Sequence, residues 1–291
     1  MAVADAAAAP ALAGTDAAGR HRRWLRTLEV AVPSAVIVLV VAACFLGPLV
    51  LPVPPPVGGS VLESYLPSFS PGHWLGTDPN GNDILSRILH GGRSSLVVAV
   101  AVNLLGLLAG GTLGALSGYV GGAVDTVIMR VLDVLIAFPS LVLTLAVAQS
   151  LGASRTNTIL ALAFFSIPAF ARISRAATLR LREQPFMAAA RLCGTPGWRV
   201  LLRHVGPNIT PQLITFGMLG MGIVMVIEGA LSFLGLGIPP PAPSWGNMIA
   251  QGQQSLSATP MLVVWPCAAL FVTVLAFNLL GETLRARWSG R

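Results

Sequence analysis

Six stretches of this chain stay apolar for about twenty residues or more, the length that carries a helix across the hydrocarbon core of a bilayer. They run over about Leu28–Val53, Ser94–Val120, Val124–Ser150, Asn157–Ala177, Ile209–Leu236 and Thr259–Leu280. Inside lipid every backbone N–H and C=O must be bonded within the segment itself, so runs of this kind are helices. The expected fold class is therefore an all-α integral membrane protein with six transmembrane helices. Composition agrees, because 10% charged residues against 54% hydrophobic ones in 291 residues leave too little polar surface to cover a water-soluble chain.

All 18 basic residues are arginines. With no lysine, the chain has neither a phosphate-loop lysine nor a Schiff-base lysine, so any ATP chemistry must come from a partner. Cys44, Cys193 and Cys267 are too few and too scattered for a disulfide framework or a zinc cluster, and read as packing residues. His21, His73, His90 and His204 are not at metal-ligand spacing, and no HExxH, GxSxG or CxxC occurs. No catalytic group and no metal site is expected. The arginines form no stripe interleaved with aromatics, which argues against nucleic acid.

Along the chain, residues 1–26 read as a disordered basic tail and 27–92 as the first helix with the extracellular segment after it. Residues 93–282 read as a five-helix transmembrane domain with a long loop at 178–208, and 283–291 as a short tail. A cleaved signal, or a lipoprotein site at Leu39–Cys44, is the rival for the first span. The apolar run continues through Phe45, Leu46, Leu49 and Leu51, beyond the roughly 7–15 residues of a signal core.

Arg20, Arg22, Arg23 and Arg26 precede the first span and should hold that end in the cytoplasm. Six spans then return the C-terminus to the same side. Arg172, Arg175, Arg180, Arg182, Arg191, Arg199, Arg203, Arg285, Arg287 and Arg291 fall on that side too, with Arg130 near it, and Arg87, Arg93 and Arg155 opposite. That asymmetry is the positive-inside pattern. The expected location is a cell membrane, with both termini cytoplasmic.

In the second span Gly106, Gly110, Gly114, Gly118 and then Gly122 recur every four residues. Such a row lies along one helix face and lets a neighbouring helix approach closely where lipid supplies no hydrophobic drive.

The segment Thr178–Asn208 differs from the other connections. Pro185 suits a helix start and Gly194 a left-handed stop after Cys193. Thr195 can cap a second helix with Pro196 at its first position, running through His204 until Gly206 and Pro207 end it. Two short helices at an angle, outside lipid and rimmed by arginine, suit docking to another protein.

This segment resembles the EAA loop of type I ABC importer permeases. Ala189, Ala190 and Gly194 match its pattern, and His204, Pro207 and Asn208 match its ending, while Ala188 stands at the family's acidic position. Two further motifs, HWLGTDPNGNDILSRILHGGRSSL over His73–Leu96 and EGALSFLGLGIPPPAPSWGNMIAQG over Glu228–Gly252, narrow the resemblance to the C-type permease of dipeptide and oligopeptide importers. Asn82 replaces an arginine common in the first of these. The resemblance implies a heterodimer with a B-type permease, two cytoplasmic ATPases that bind ATP and Mg, and an extracellular solute-binding protein. The substrate implied is a peptide, with nickel or glutathione as alternatives.

The resemblance assigns ATPase coupling to Phe186, Met187, Ala188, Ala189, Ala190, Arg191, Gly194, Trp198, Arg203 and His204. Met218, Met221 and Met225 recur on one helix face, a pattern that more often means lipid or core packing but also suits a binding surface, so with Glu228 beyond them they are candidates for the translocation pathway. Glu228 is equally suited to holding the external loop. Within that loop Ser232, Phe233 and Trp245 are candidates for binding-protein docking, with Trp245 expected at the membrane interface. An i, i+3 ion pair is expected between Arg130 and Asp133. The competing class is an ATP-independent secondary transporter, for which neither an inverted repeat nor a mid-membrane coupling carboxylate is evident.

Overall fold

The computed structural model describes residues 13–289, with side chains from Leu28 to Trp288 apart from Ser140. Residues 1–12 and the side chains of Arg20, Arg22, Arg23, Arg26 and Arg291 lie outside the described residues. Helix α1 spans Ala13–Val50, so it begins well before the expected boundary at residue 27. Residues 13–26 continue the helix set up by the span behind them.

Helix α2 covers Ile84–Val120, α3 Gly122–Ile136, α4 Ser140–Leu151 and α5 Arg155–Arg182. Helix α6 is Pro185–Leu192, α7 Gly197–Phe233, α8 Trp245–Gln253 and α9 Met261–Ser289. The described residues contain no strand, only two isolated bridges, Ser70 to His73 and Thr77 to Asp83. Helices α1, α2, α5, α7 and α9 are each long and apolar enough to cross a membrane, and α3 with α4 makes a sixth span when the bent pair is counted as one. Alternation puts residues 52–83 and α8 at one end of the bundle, the cap end, and α6 with both described termini at the other, the loop end.

Three further helices differ from their expected form. The third span bends by 85° between α3 and α4, where Pro139 forces Phe138 out of helical geometry and begins the second piece. Helix α2 starts at Ile84 rather than near Ser94, because Asp83 caps it by accepting from Ser86 N at 2.7 Å. Gly206 and Pro207 do not end a helix. A π-turn over Leu201–Val205 closes with Gly206 N donating to Leu201 O, and α7 runs on without interruption. The widened turn falls where Pro207 has no N–H to offer, so the missing donor is absorbed and the helix survives.

The glycine row is the seam between α2 and α5. A Cβ added at Gly106, Gly110, Gly114 or Gly118 would lie 2.6, 2.8, 2.7 or 2.9 Å from Phe170, Phe170, Ser174 and Thr178 respectively. Ser174 Oγ closes the contact by donating to Gly111 O at 2.6 Å. Gly122 is not part of this seam, for nothing approaches it. With Gly121 it has positive φ, +56° and +73°, and turns the chain into α3.

Two ion pairs brace α3 against α5. Arg175 holds Asp125 with two 2.6 Å bonds, and Arg172 holds Asp133 at 2.8 Å. Asp133 thus pairs across helices and not with Arg130. The i, i+3 spacing brings two side chains within reach, but the guanidinium of a packed neighbour offers the better geometry.

Candidate functional site

At the loop end, α6 and α7 form an elbow. Thr195 N bonds Ala190 O at 3.2 Å and Gly194 N bonds Arg191 O at 3.0 Å, the paired closure that needs a left-handed residue, and Gly194 supplies it at φ +70°. Pro196 caps α7 and Gly197 is its first residue, one position later than expected. Met187 anchors the elbow. It is fully buried, with Val200, Val205, Ile209, Leu213 and Phe170 in the same apolar cluster.

The rest of the elbow is apolar and open. Phe186 is 42% exposed, Leu192 89%, Trp198 61% and Leu202 72%. Ala188 and Ala189 are exposed beside them, Ala190 is half-buried, and Arg191, Gly194 and Arg203 are exposed. Arg199 lies 5.3 Å from the Trp198 ring and Arg191 5.8 Å from the Tyr119 ring. The His204 ring is tilted 6.4 Å from that of Phe186. An apolar patch with arginines at its rim is an interaction surface. Of the residues expected there, Met187 alone faces inward.

The cap end is built from buried polar groups, most of which the sequence reading did not single out. Asp78 accepts from the amides of Asn80 and Asn82 at 2.8 and 2.9 Å and from Asn82 Nδ2 at 3.0 Å. Arg87 lies 3.3 Å from Asp78 and donates to Gln251 of α8 at 3.1 Å. Asn82 also accepts from Gly59 N at 3.0 Å, so the residue that departs from the family's arginine ties down the segment after α1. His73 bonds Asp83 at 3.0 Å. A signal was present in the cluster of Asp and Asn around Gly81, which suits a side-chain-bonded turn.

Glu228 is at the centre of a second network. It accepts from Ser95 of α2 at 3.1 Å and from Ser232 at 2.8 Å, and Ser95 accepts from Trp245 N at 3.3 Å. Of its two sequence readings, holding the loop is the one its contacts match. Trp245 is packed inside the chain and does not reach its surface. It is 1% exposed, donates from its indole to Ile88 O at 3.0 Å, and fills a slot over Gly92, where a Cβ would come 2.5 Å from its ring. Ser232 is buried as well, so among the three expected docking residues Phe233 alone is exposed.

Met221 and Met225 are buried in the chain's main apolar cluster, packed with Val98, Val102 and Leu162, and Met218 is half-buried. The methionine face of α7 is thus its packed face. The open face carries Asn208 and Gln212, one turn apart. These line a cavity of about 860 Å³ with Arg180, Thr215, Arg285 and Trp288, at the loop end between α5, α7 and α9. Among the described residues no group of three or more His, Cys, Asp or Glu is placed to hold a metal ion.

Comparison with known proteins places this geometry. Residues 110–289 match the family described as binding-protein-dependent transport system inner membrane component. The chain is 44% identical over 216 residues to the glutathione transport system permease protein GsiD of Pectobacterium atrosepticum, covering 74% of this chain and 72% of that one. It is also 44% identical over 213 residues to the GsiD protein of Escherichia coli, covering 73% and 70%. A structure of the MetNI methionine ABC transporter, in an inward facing conformation, superposes with a TM-score of 0.55 at 16% identity, over 68% of this chain and 95% of that one. That likeness shows a shared fold. The chain belongs to the binding-protein-dependent transport system inner membrane component family, as a multi-pass permease subunit of an ABC importer with the type I fold.

Proposed function

We propose that this chain forms one transmembrane half of an ATP-driven importer of glutathione or short peptides, and that the α6–α7 elbow is where an ATPase docks. Family membership implies a partner permease and ATPase subunits. The observation that carries the docking assignment is the exposed row Phe186, Leu192, Trp198 and Leu202 on a scaffold pinned by buried Met187. The chain itself is non-catalytic in this reading, and ATP and magnesium are bound by two partner ATPases. Ala188 keeps the docking face apolar where relatives of the loop carry an acid.

The relatives named above are glutathione permeases, and glutathione is itself a tripeptide, so the peptide and glutathione readings converge on one solute class. The partner permease is of the B type, and a solute-binding protein delivers substrate at the cap end, where Phe233 is exposed. The loop end faces the cytoplasm of a bacterial cell. Closure of the ATPases on ATP moves α6 and α7 as a lever, and their contact must persist in both conformations, because ATP shifts the equilibrium only by its differential affinity for the two.

The test is reconstitution of the chain with its partner permease, ATPases and binding protein in liposomes, followed by uptake of labelled glutathione and tri-alanine. ATP-dependent uptake of either solute is expected. Uptake by this chain alone, indifferent to ATP, would overturn the importer reading in favour of a secondary transporter.

A further inference from the structure

The cavity at the loop end belongs neither to the docking elbow nor to the polar cap. Each of its walls is one face of a helix. Ile173 and Arg180 lie two turns apart on α5, Asn208, Gln212 and Thr215 follow at four- and three-residue spacing on α7, and Arg285 and Trp288 are one turn apart on α9. Its volume of about 860 Å³ is within the range of small-molecule sites.

The chemistry of the lining is one-sided. It contains guanidinium, amide, hydroxyl and indole groups and no carboxylate. The acidic groups of α3 are committed elsewhere: Asp125 and Asp133 are engaged by Arg175 and Arg172, and neither Arg180 nor Arg285 has a carboxylate within 4.0 Å among the described residues. Asn208 and Gln212 are exposed on a helix that otherwise crosses the membrane. Polar side chains turned towards lipid are expensive, so such a face is suited to water or a polar solute. Thr215 turns its hydroxyl back to Pro211 O at 3.0 Å, and Phe216 and Leu219 complete an apolar floor.

We propose that this cavity binds the carboxylates of the transported solute at the loop end of the bundle, with Arg180 and Arg285 as the anion-holding groups, and with Gln212 and the side-chain carbonyl of Asn208, whose Nδ2 already donates to His204 O at 2.6 Å, bonding its amides. Guanidinium groups pair with carboxylates through two parallel bonds, which neither an amide nor a hydroxyl can match. The assignment rests on the glutathione-or-peptide reading above, because those solutes carry free carboxylates. It moves the solute contact on α7 from the methionine face to the opposite, polar one.

The probe is glutathione, with its dimethyl ester as the carboxylate-blocked control, bound to the assembled transporter in phosphatidylcholine nanodiscs without nucleotide. The ester is expected to bind at least about tenfold more weakly, the scale of losing one charge-assisted hydrogen bond. Arg180→Gln with Arg285→Gln should weaken glutathione by a similar factor or more at an unchanged melting temperature. Gln212→Glu keeps both arginines and adds a negative charge to the wall, and should weaken it too. Wild-type affinity in all these variants, or equal binding of acid and ester, would overturn the proposal. In nanodiscs doped with phosphatidylglycerol, loss of that lipid from the double variant with glutathione affinity intact would overturn it as well, and would mark a lipid headgroup site. Glutathione uptake by the wild-type transporter is the separate readout. If uptake is present and the variants bind normally, the cavity assignment alone fails, and if neither glutathione nor tri-alanine is taken up, the solute reading fails with it.

Discussion

At the cap end of the bundle Asp78, Asp83, Arg87 and Glu228 are all buried, and each is bonded to a partner on another part of the chain. At the loop end the opposite holds, since Phe186, Leu192, Trp198 and Leu202 lie open while the arginines form the rim. Buried polar networks that are fully satisfied fix one arrangement, because every alternative strands a polar group in a medium of low dielectric. Exposed apolar groups do the reverse and leave a surface short of a partner. The charged core of the cap is therefore complete within this chain, although Leu62, Phe69 and Trp74 stand exposed on its surface and Trp265 Nε1 is buried without a partner, and the elbow is completed by assembly.

The contrast is broken most severely at Arg87. Arg87→Leu leaves Asp78 buried without its counter-charge and frees Gln251, at an expected loss of about 3–5 kcal/mol. Thermal unfolding of the purified chain in detergent should register this as a fall of roughly ten degrees. Glu228→Ala is next. It strands Ser95 and Ser232 at about 1–3 kcal/mol, and Glu228→Gln, which keeps one acceptor, should recover part of that in the same assay.

The two effects at the loop end are smaller in stability and larger in function. Gly194→Val forces a branched residue into positive φ at about 1–2 kcal/mol, although nothing approaches the site within 4 Å. ATP hydrolysis by the reconstituted transporter should then continue with less solute moved per ATP. Phe186→Ser combined with Trp198→Ser should shift the melting temperature of the chain hardly at all, within about 0.5 kcal/mol, and abolish ATPase binding in a pull-down. Strong destabilisation by that pair would place the elbow among the self-contained parts of the fold.

Much of this was legible in the order of residues. Apolar runs located the crossing helices, since lipid demands them, and the four-residue glycine period identified the α2 seam because a helix face has that period. The elbow was readable from Pro185 and Gly194, each of which acts on the backbone beside it. What escaped depends on partners distant in the chain. Periodicity put Met218, Met221 and Met225 on one face of α7, where packing is the commoner meaning, but did not decide between that and the pathway. Trp245 has the interfacial habit of tryptophan, yet Gly92, far away in sequence, opens a slot that buries it. Arg130 is adjacent to Asp133 by helix spacing, and Arg172 from another helix displaces it. The run past Gly206 and Pro207 looked like a stop because a local rule was applied where a π-turn relieves it.

Amide hydrogen exchange on the chain with its partner permease, before and after the ATPases bind, compares the two ends in one experiment. Residues 185–192 and 197–205 should exchange markedly more slowly once the ATPases are present, while 77–83 and 244–253 should be protected from the start and stay unchanged. Protection that appears at 77–83 and 244–253 but not across the elbow would contradict the assignment of a self-contained polar core in the cap and a docking loop.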